Sequence, residues 1–169
     1  MQEAAYASLL KQDRRELHRA AAETIIALHP DRERDLAGVI GMHFEQAGDA
    51  ARAAHYLVLA GEHAFEHFAN KEAVAFFTRA FALIDAPQSD LRLRAAIGAA
   101  KASWTYKTSA AEIERLETAV AAAAPSDRRL VAEALFWNAF LRRQKGETPA
   151  SSPELKDVLD RAAEIGEAL

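Results

Sequence analysis

The chain has 169 residues, half of them apolar and 27% charged, with a net charge of −4. That is long enough for one domain with a core or for a short solenoid, and neither basic enough for nucleic acid as a main partner nor polar enough for disorder. Cysteine is absent, which excludes disulfides and thiolate metal sites, and no apolar run approaches the ~20 residues of a membrane span.

The punctuation divides the chain into about eight helices. The first is expected over residues 3–28, with Leu10, Leu17, Ala21, Ile25 and Leu28 on one stripe. His29-Pro30-Asp31 ends it, because proline cannot continue the hydrogen-bond ladder. The second covers residues 32–46, with Leu36, Val39, Ile40, His43 and Phe44 facing inward. Gly48 is its expected left-handed stop and Asp49 the N-cap of the third.

The third helix, residues 50–68, is apolar nearly all round, so it should lie between two neighbours. Ala53, Tyr56, Leu57, Ala60, Ala64 and Phe68 lie on one side, and Val58 and Phe65 on another. The fourth, capped by Asn70, carries Val74, Phe77, Ala80, Phe81 and Ile84. The ladder Ala53-x3-Leu57-x2-Ala60 returns as Ala73-x3-Phe77-x2-Ala80. Positions i, i+4 and i+7 share one helix face, so two alanines flank one large knob and let a neighbour approach closely.

A fifth helix spans residues 90–106. The sixth opens on the capping box Ser109 to Glu112 and carries Ile113, Leu116 and Val120. After Pro125-Ser126 the seventh presents Leu130, Ala134, Trp137 and Leu141, with Phe136 and Phe140 on an adjacent face. Gly146–Ser152 reads as a linker, and Ser151 to Glu154 as a second capping box. The last helix holds Leu155, Val158, Leu159, Ala162 and Ile165. No stretch alternates like a strand. The predicted fold is all-α: antiparallel hairpins stacked as a right-handed superhelix. The apolar stripe of the last helix implies that the array continues into a longer protein.

The hairpin Ile40, Gly41, Phe44, Gly48, then Ala53, Leu57 and Ala60 resembles a tetratricopeptide repeat. The second ladder departs from that family, since Ala53 and Ala73 lie only 20 positions apart, not 34. Ala73, Phe77 and Ala80 are nonetheless expected to pack like the first set. More broadly, the segments Glu3–Lys11, Arg14–Arg19, His29–Asp31, His43–Asp49 and Tyr56–Gly61 resemble the region behind the nucleotide-binding domain of bacterial STAND-type signalling ATPases. These include cyclase-linked ATPases and large LuxR-type regulators. The resemblance implies a linker helix at residues 1–30, the best repeat at 31–85 and weaker repeats at 86–169. It implies a cytoplasmic, non-catalytic interaction or sensor module. Its partners would be a protein or peptide, neighbouring domains of the parent chain or a small effector. A small-molecule-sensing arm of a transcription regulator is the alternative. The P-loop pattern is absent, so no cofactor is expected on this chain.

His63-Ala-Phe-Glu66-His67 matches the inverted zinc-protease pattern. Its spacing places two imidazoles on one helix face with Glu66 beside them, which is the remote case for a zinc-dependent hydrolase. A third ligand is not supplied, and two histidines at the rim of a packed helix account for the same letters, so no metal or catalytic residue is expected. Lys11–Arg19 reads as a solvated basic face, and Arg142, Arg143 and Lys145 as cations at a helix C-terminus. Trp104, Tyr106 and Trp137 read as core or interface.

Overall fold

The computed structural model describes residues 11–84, 89–106 and 110–146, with residues 153, 156–158, 160, 161 and 163. Among the described residues the chain is all-helical, and it contains no strand. The helices are α1 (Lys11–Leu28), α2 (Ala37–Ala47), α3 (Ala50–Glu66), α4 (Asn70–Leu83), α5 (Ser89–Ser103), α6 (Ala110–Ala121) and α7 (Arg128–Gln144). A 3-10 turn, Pro30–Arg32, joins α1 to the approach of α2. The described residues between 153 and 163 are also helical. No described helix is long and apolar enough to cross a membrane.

Consecutive helices pack on one another, and α3, α5 and α7 also touch across the intervening helices. Two layers result, one of odd-numbered and one of even-numbered helices. Opposite charges bridge within each layer. Glu23 of α1 meets Arg52 of α3 at 3.0 Å, Glu62 of α3 meets Arg94 of α5 at 2.6 Å, and Lys101 of α5 meets Glu133 of α7. Glu45 and Arg79 join α2 to α4. The partners lie 29 to 34 positions apart in sequence.

The α2–α3 turn forms as its letters dictate. Gly48 takes φ +78°, the Asp49 N–H donates to the Phe44 carbonyl, and the Asp49 carboxylate caps α3 by accepting from the Arg52 N–H. Burial pushes the Asp49 carboxyl up, but the hydrogen bonds and charge of Arg52 outweigh this and hold it below the usual carboxylate range. At the α3–α4 turn the same backbone pattern recurs with a phenylalanine in the glycine position. Ala69 N–H donates to the Ala64 carbonyl while Phe68 sits at φ +60°.

Ile40, Phe44, Ala53, Leu57, Ala73 and Ala80 are buried, as are Gly41, Ala60 and Phe77. Gly41 is required by closeness: a β-carbon there would lie 3.1 Å from Leu57 Cγ and 3.2 Å from its backbone nitrogen. The ring of Phe77 lies against both Gly61 of α3 and Gly98 of α5.

Several expectations need correction. Leu17 and Leu28 are exposed, and the buried residue of α1 is Ala22. Among the described residues α1 packs mainly on α2, so it buries a narrower stripe than its apolar residues trace. Residues 33–36 are turns, so α2 starts later than its apolar letters suggest. Val39 is 46% exposed on the side of α2 away from the core. α3 stops at Glu66, which turns Phe68 out to solvent. Asn70 is the first residue of α4 rather than its cap, and its side-chain oxygen is buried without a hydrogen-bond partner. Ser109 and both ends of the second capping box lie outside the described residues; Glu112 is buried and accepts from Arg115 at 3.1 Å. The expected N-terminal stretch and most of the last helix lie outside them as well.

Candidate functional site

The odd-helix layer carries a groove of 230 Å³. Phe77, Ile97 and Gly98 are among its lining residues, with Phe65 of α3 and Leu130 of α7. Glu62 with Arg94 and Lys101 with Glu133 set its charged edges as two ion pairs, and Glu66, which also lines it, is paired with Arg34 outside the groove.

One turn beyond Glu133, α7 presents Trp137, and Trp104 follows Lys101 in the turn that ends α5. Phe140 bridges them edge-on, at centroid distances of 5.6 Å to Trp104 and 5.4 Å to Trp137. Phe136 stacks on Phe140 at 6.4 Å. Trp104 and Phe136 remain 43% and 49% exposed. Tyr106, also exposed, donates from its hydroxyl to the Asn70 carbonyl at 3.3 Å. Trp104 and Trp137 therefore do meet, through a phenylalanine that the letters placed on a neighbouring stripe.

Phe68 stands at the end of α3, three residues past Phe65, and is 89% exposed. A non-glycine residue in the left-handed region costs roughly 1–2 kcal/mol. Strain and exposure together at a large apolar residue are uncommon outside functional surfaces.

The zinc-like pattern folds into a helix end. His67 Nδ1 donates to the His63 carbonyl at 2.8 Å, which ties one ring to the α3 terminus. Glu66 is paired with Arg34 at 2.5 Å, and His63 Nε2 lies 3.4 Å from Asp35. The two rings lie 4.3 Å apart between centroids. Among the described residues no group of three or more metal-ligating side chains comes together.

Two features escaped the sequence. His18 of α1 and His43 of α2 bring their Nδ1 atoms to 2.8 Å, although 25 positions separate them. Burial, followed by the charge of His18, lowers the His43 pKa. Tyr56 donates to Glu33 at 2.5 Å; burial and then this acceptor push its hydroxyl up to about 12. Nothing local marks either pair, because His18 and His43 sit on different helices and Tyr56 of α3 reaches Glu33 in the turn before α2. Of the basic N-terminal face, Lys11, Arg14 and Arg15 gather beside Glu45 and Gln46.

The chain matches no protein family, curated protein or solved structure with which it was compared.

Proposed function

We propose that this chain is a non-catalytic protein-interaction or sensor module, and that the odd-helix face is its binding surface. The observation that carries this reading is the continuous run from the groove at Phe65 and Ile97 to the exposed rings of Trp104 and Phe136. Large rigid aromatics supply much contact area at little entropic cost, and they dominate peptide-binding hot spots. The strained, exposed Phe68 follows the groove residue Phe65 by three positions at the end of α3. An extended or helical peptide with apolar anchors fits it, and no nucleophile or acid–base pair is needed.

The helices build a tetratricopeptide-like right-handed superhelix within a larger bacterial STAND-type signalling protein of the cytoplasm. Bridges at separations of 32 and 34 residues support a repeat of that length. Adjoining domains of the parent protein, or a separate protein, would supply the occupant.

Panning a displayed random-peptide pool on the purified chain tests the reading. Selected peptides should bind at least about tenfold more weakly to Trp104→Ala and Phe136→Ala, both exposed substitutions. Peptides indifferent to both would reject this face. The reading frame flanking this chain tests the parentage, and should encode Gly-x4-Gly-Lys-Ser/Thr.

A further inference from the structure

A second recess, of 640 Å³, lies between α6, α7 and residues 158 and 161. It falls within the roughly 300–1,000 Å³ of ordinary small-molecule sites. Leu116, Val120, Leu135, Ala139 and Val158 form an apolar wall. Of these, Leu116 and Ala139 are buried core residues, so the wall is fixed by packing rather than by surface side chains.

The polar side is built, not incidental. Asn138 is only 7% exposed, an unusual place for a carboxamide. Its amide donates to the Ile113 carbonyl at 3.4 Å, and its oxygen accepts from Arg142 Nε at 3.0 Å. A second nitrogen of Arg142 pairs with Glu117. This chain of contacts holds one guanidinium at the wall. Glu117 balances Arg142, so Arg161 leaves the described lining with one surplus positive charge.

An apolar wall with one excess cation complements an apolar body that ends in one anion. A neutral hydrophobe would leave the charge unused, and a sugar or nucleotide would set polar groups against the leucines and valines. We propose that the recess binds an amphipathic monocarboxylate with a medium-length apolar tail. Its carboxylate meets Arg161 and its tail lies along Leu116, Val120 and Leu135. This site is separate from the odd-helix groove and stands without it.

Decanoate, kept below its micellar concentration, is the probe, with decan-1-ol as the uncharged control. Calorimetry on the whole chain should give one saturable site for decanoate and about tenfold weaker binding of decanol. Methyl resonances of Leu116, Val120, Leu135 and Val158 should shift on saturation. Arg161→Gln, an exposed change, should reduce decanoate to the level of decanol and leave decanol unaltered. Ala121→Trp, at the exposed mouth, should weaken both while the circular dichroism spectrum stays helical. Equal binding of acid and alcohol, no saturation, or saturation without those methyl shifts would each overturn the proposal.

Discussion

The ring of Phe77 occupies the space that a β-carbon on Gly98 would need. A glycine inside a helix costs roughly 0.5–1 kcal/mol against alanine, so α5 gives up helical stability to admit a ring from α4. The same ring also excludes a β-carbon at Gly61, which would lie 2.7 Å from Phe77 Cε1.

This predicts a change of sign. Gly98→Ala alone should destabilise the protein by about 1–3 kcal/mol through overpacking. In a Phe77→Ala background, itself lowered by about 3–5 kcal/mol, the same substitution should become neutral or stabilising by up to ~1 kcal/mol. Urea unfolding of the four chains measures the coupling. Additive effects would mean that the two positions do not share this space.

Acid should loosen the α1–α2 pair. The pKa of His43 is lowered in the fold, so between its folded and unfolded values the unfolded chain binds more protons. Stability is then full above the unfolded value of 6.5 and is lost as pH falls below it. His43→Gln should flatten that part of the profile. Unfolding midpoints at pH 5 and 7.5 compare the two proteins, and an unchanged difference between them would reject the account.

Tyr56 should titrate late. Its hydroxyl is raised to about 12, so its contribution is full below pH 10 and is lost as pH rises through the folded value. Burial and the nearby Glu112 and Glu72 also raise the Tyr106 hydroxyl, so ultraviolet titration should show a delayed tyrosine ionisation whose latest part belongs to Tyr56. Tyr56→Phe should remove that late step and lower stability by about 1.5–3 kcal/mol, the range of a hydrogen bond to a charged acceptor.

Phe68→Gly should raise stability by about 1 kcal/mol, because glycine takes φ +60° without a β-carbon penalty. Thermal unfolding reads this directly. The same variant should bind peptides selected on the odd-helix face more weakly, which separates a docking role from an accidental strain.

Zinc should not raise the melting temperature. Glu66 is held by Arg34 and the His67 ring by a backbone carbonyl, so the H-x-x-E-H letters offer no free convergent set. A zinc-dependent rise that disappears in His63→Ala would contradict this.

What was legible in the letters was local. The small–large–small ladders found Leu57 and Phe77 because a close helix contact needs alanine on both sides of the knob. Gly48 and Asp49 were legible because a left-handed stop and an N-cap are each written in one residue. Leu17, Leu28 and Phe68 misled for the opposite reason: apolarity says that a side chain can be buried, while the arrangement of neighbours says whether it is. Asn138 went unnoticed because its partners, Ile113 and Arg142, include a carbonyl 25 positions away. The groove lay beyond a one-helix reading, since four helices contribute to it.

The ion pairs that join alternate helices carry a kinetic consequence. Each closes a loop of about thirty residues, as Glu62–Arg94 and Glu45–Arg79 do. Adding more hairpins to such a chain adds closures of the same size rather than longer ones. The entropic barrier to making native contacts then stays set by one closure, and contact order relative to length falls as the array grows. A chain built this way can lengthen without becoming slower to fold, and each new hairpin is held by the one laid down before it.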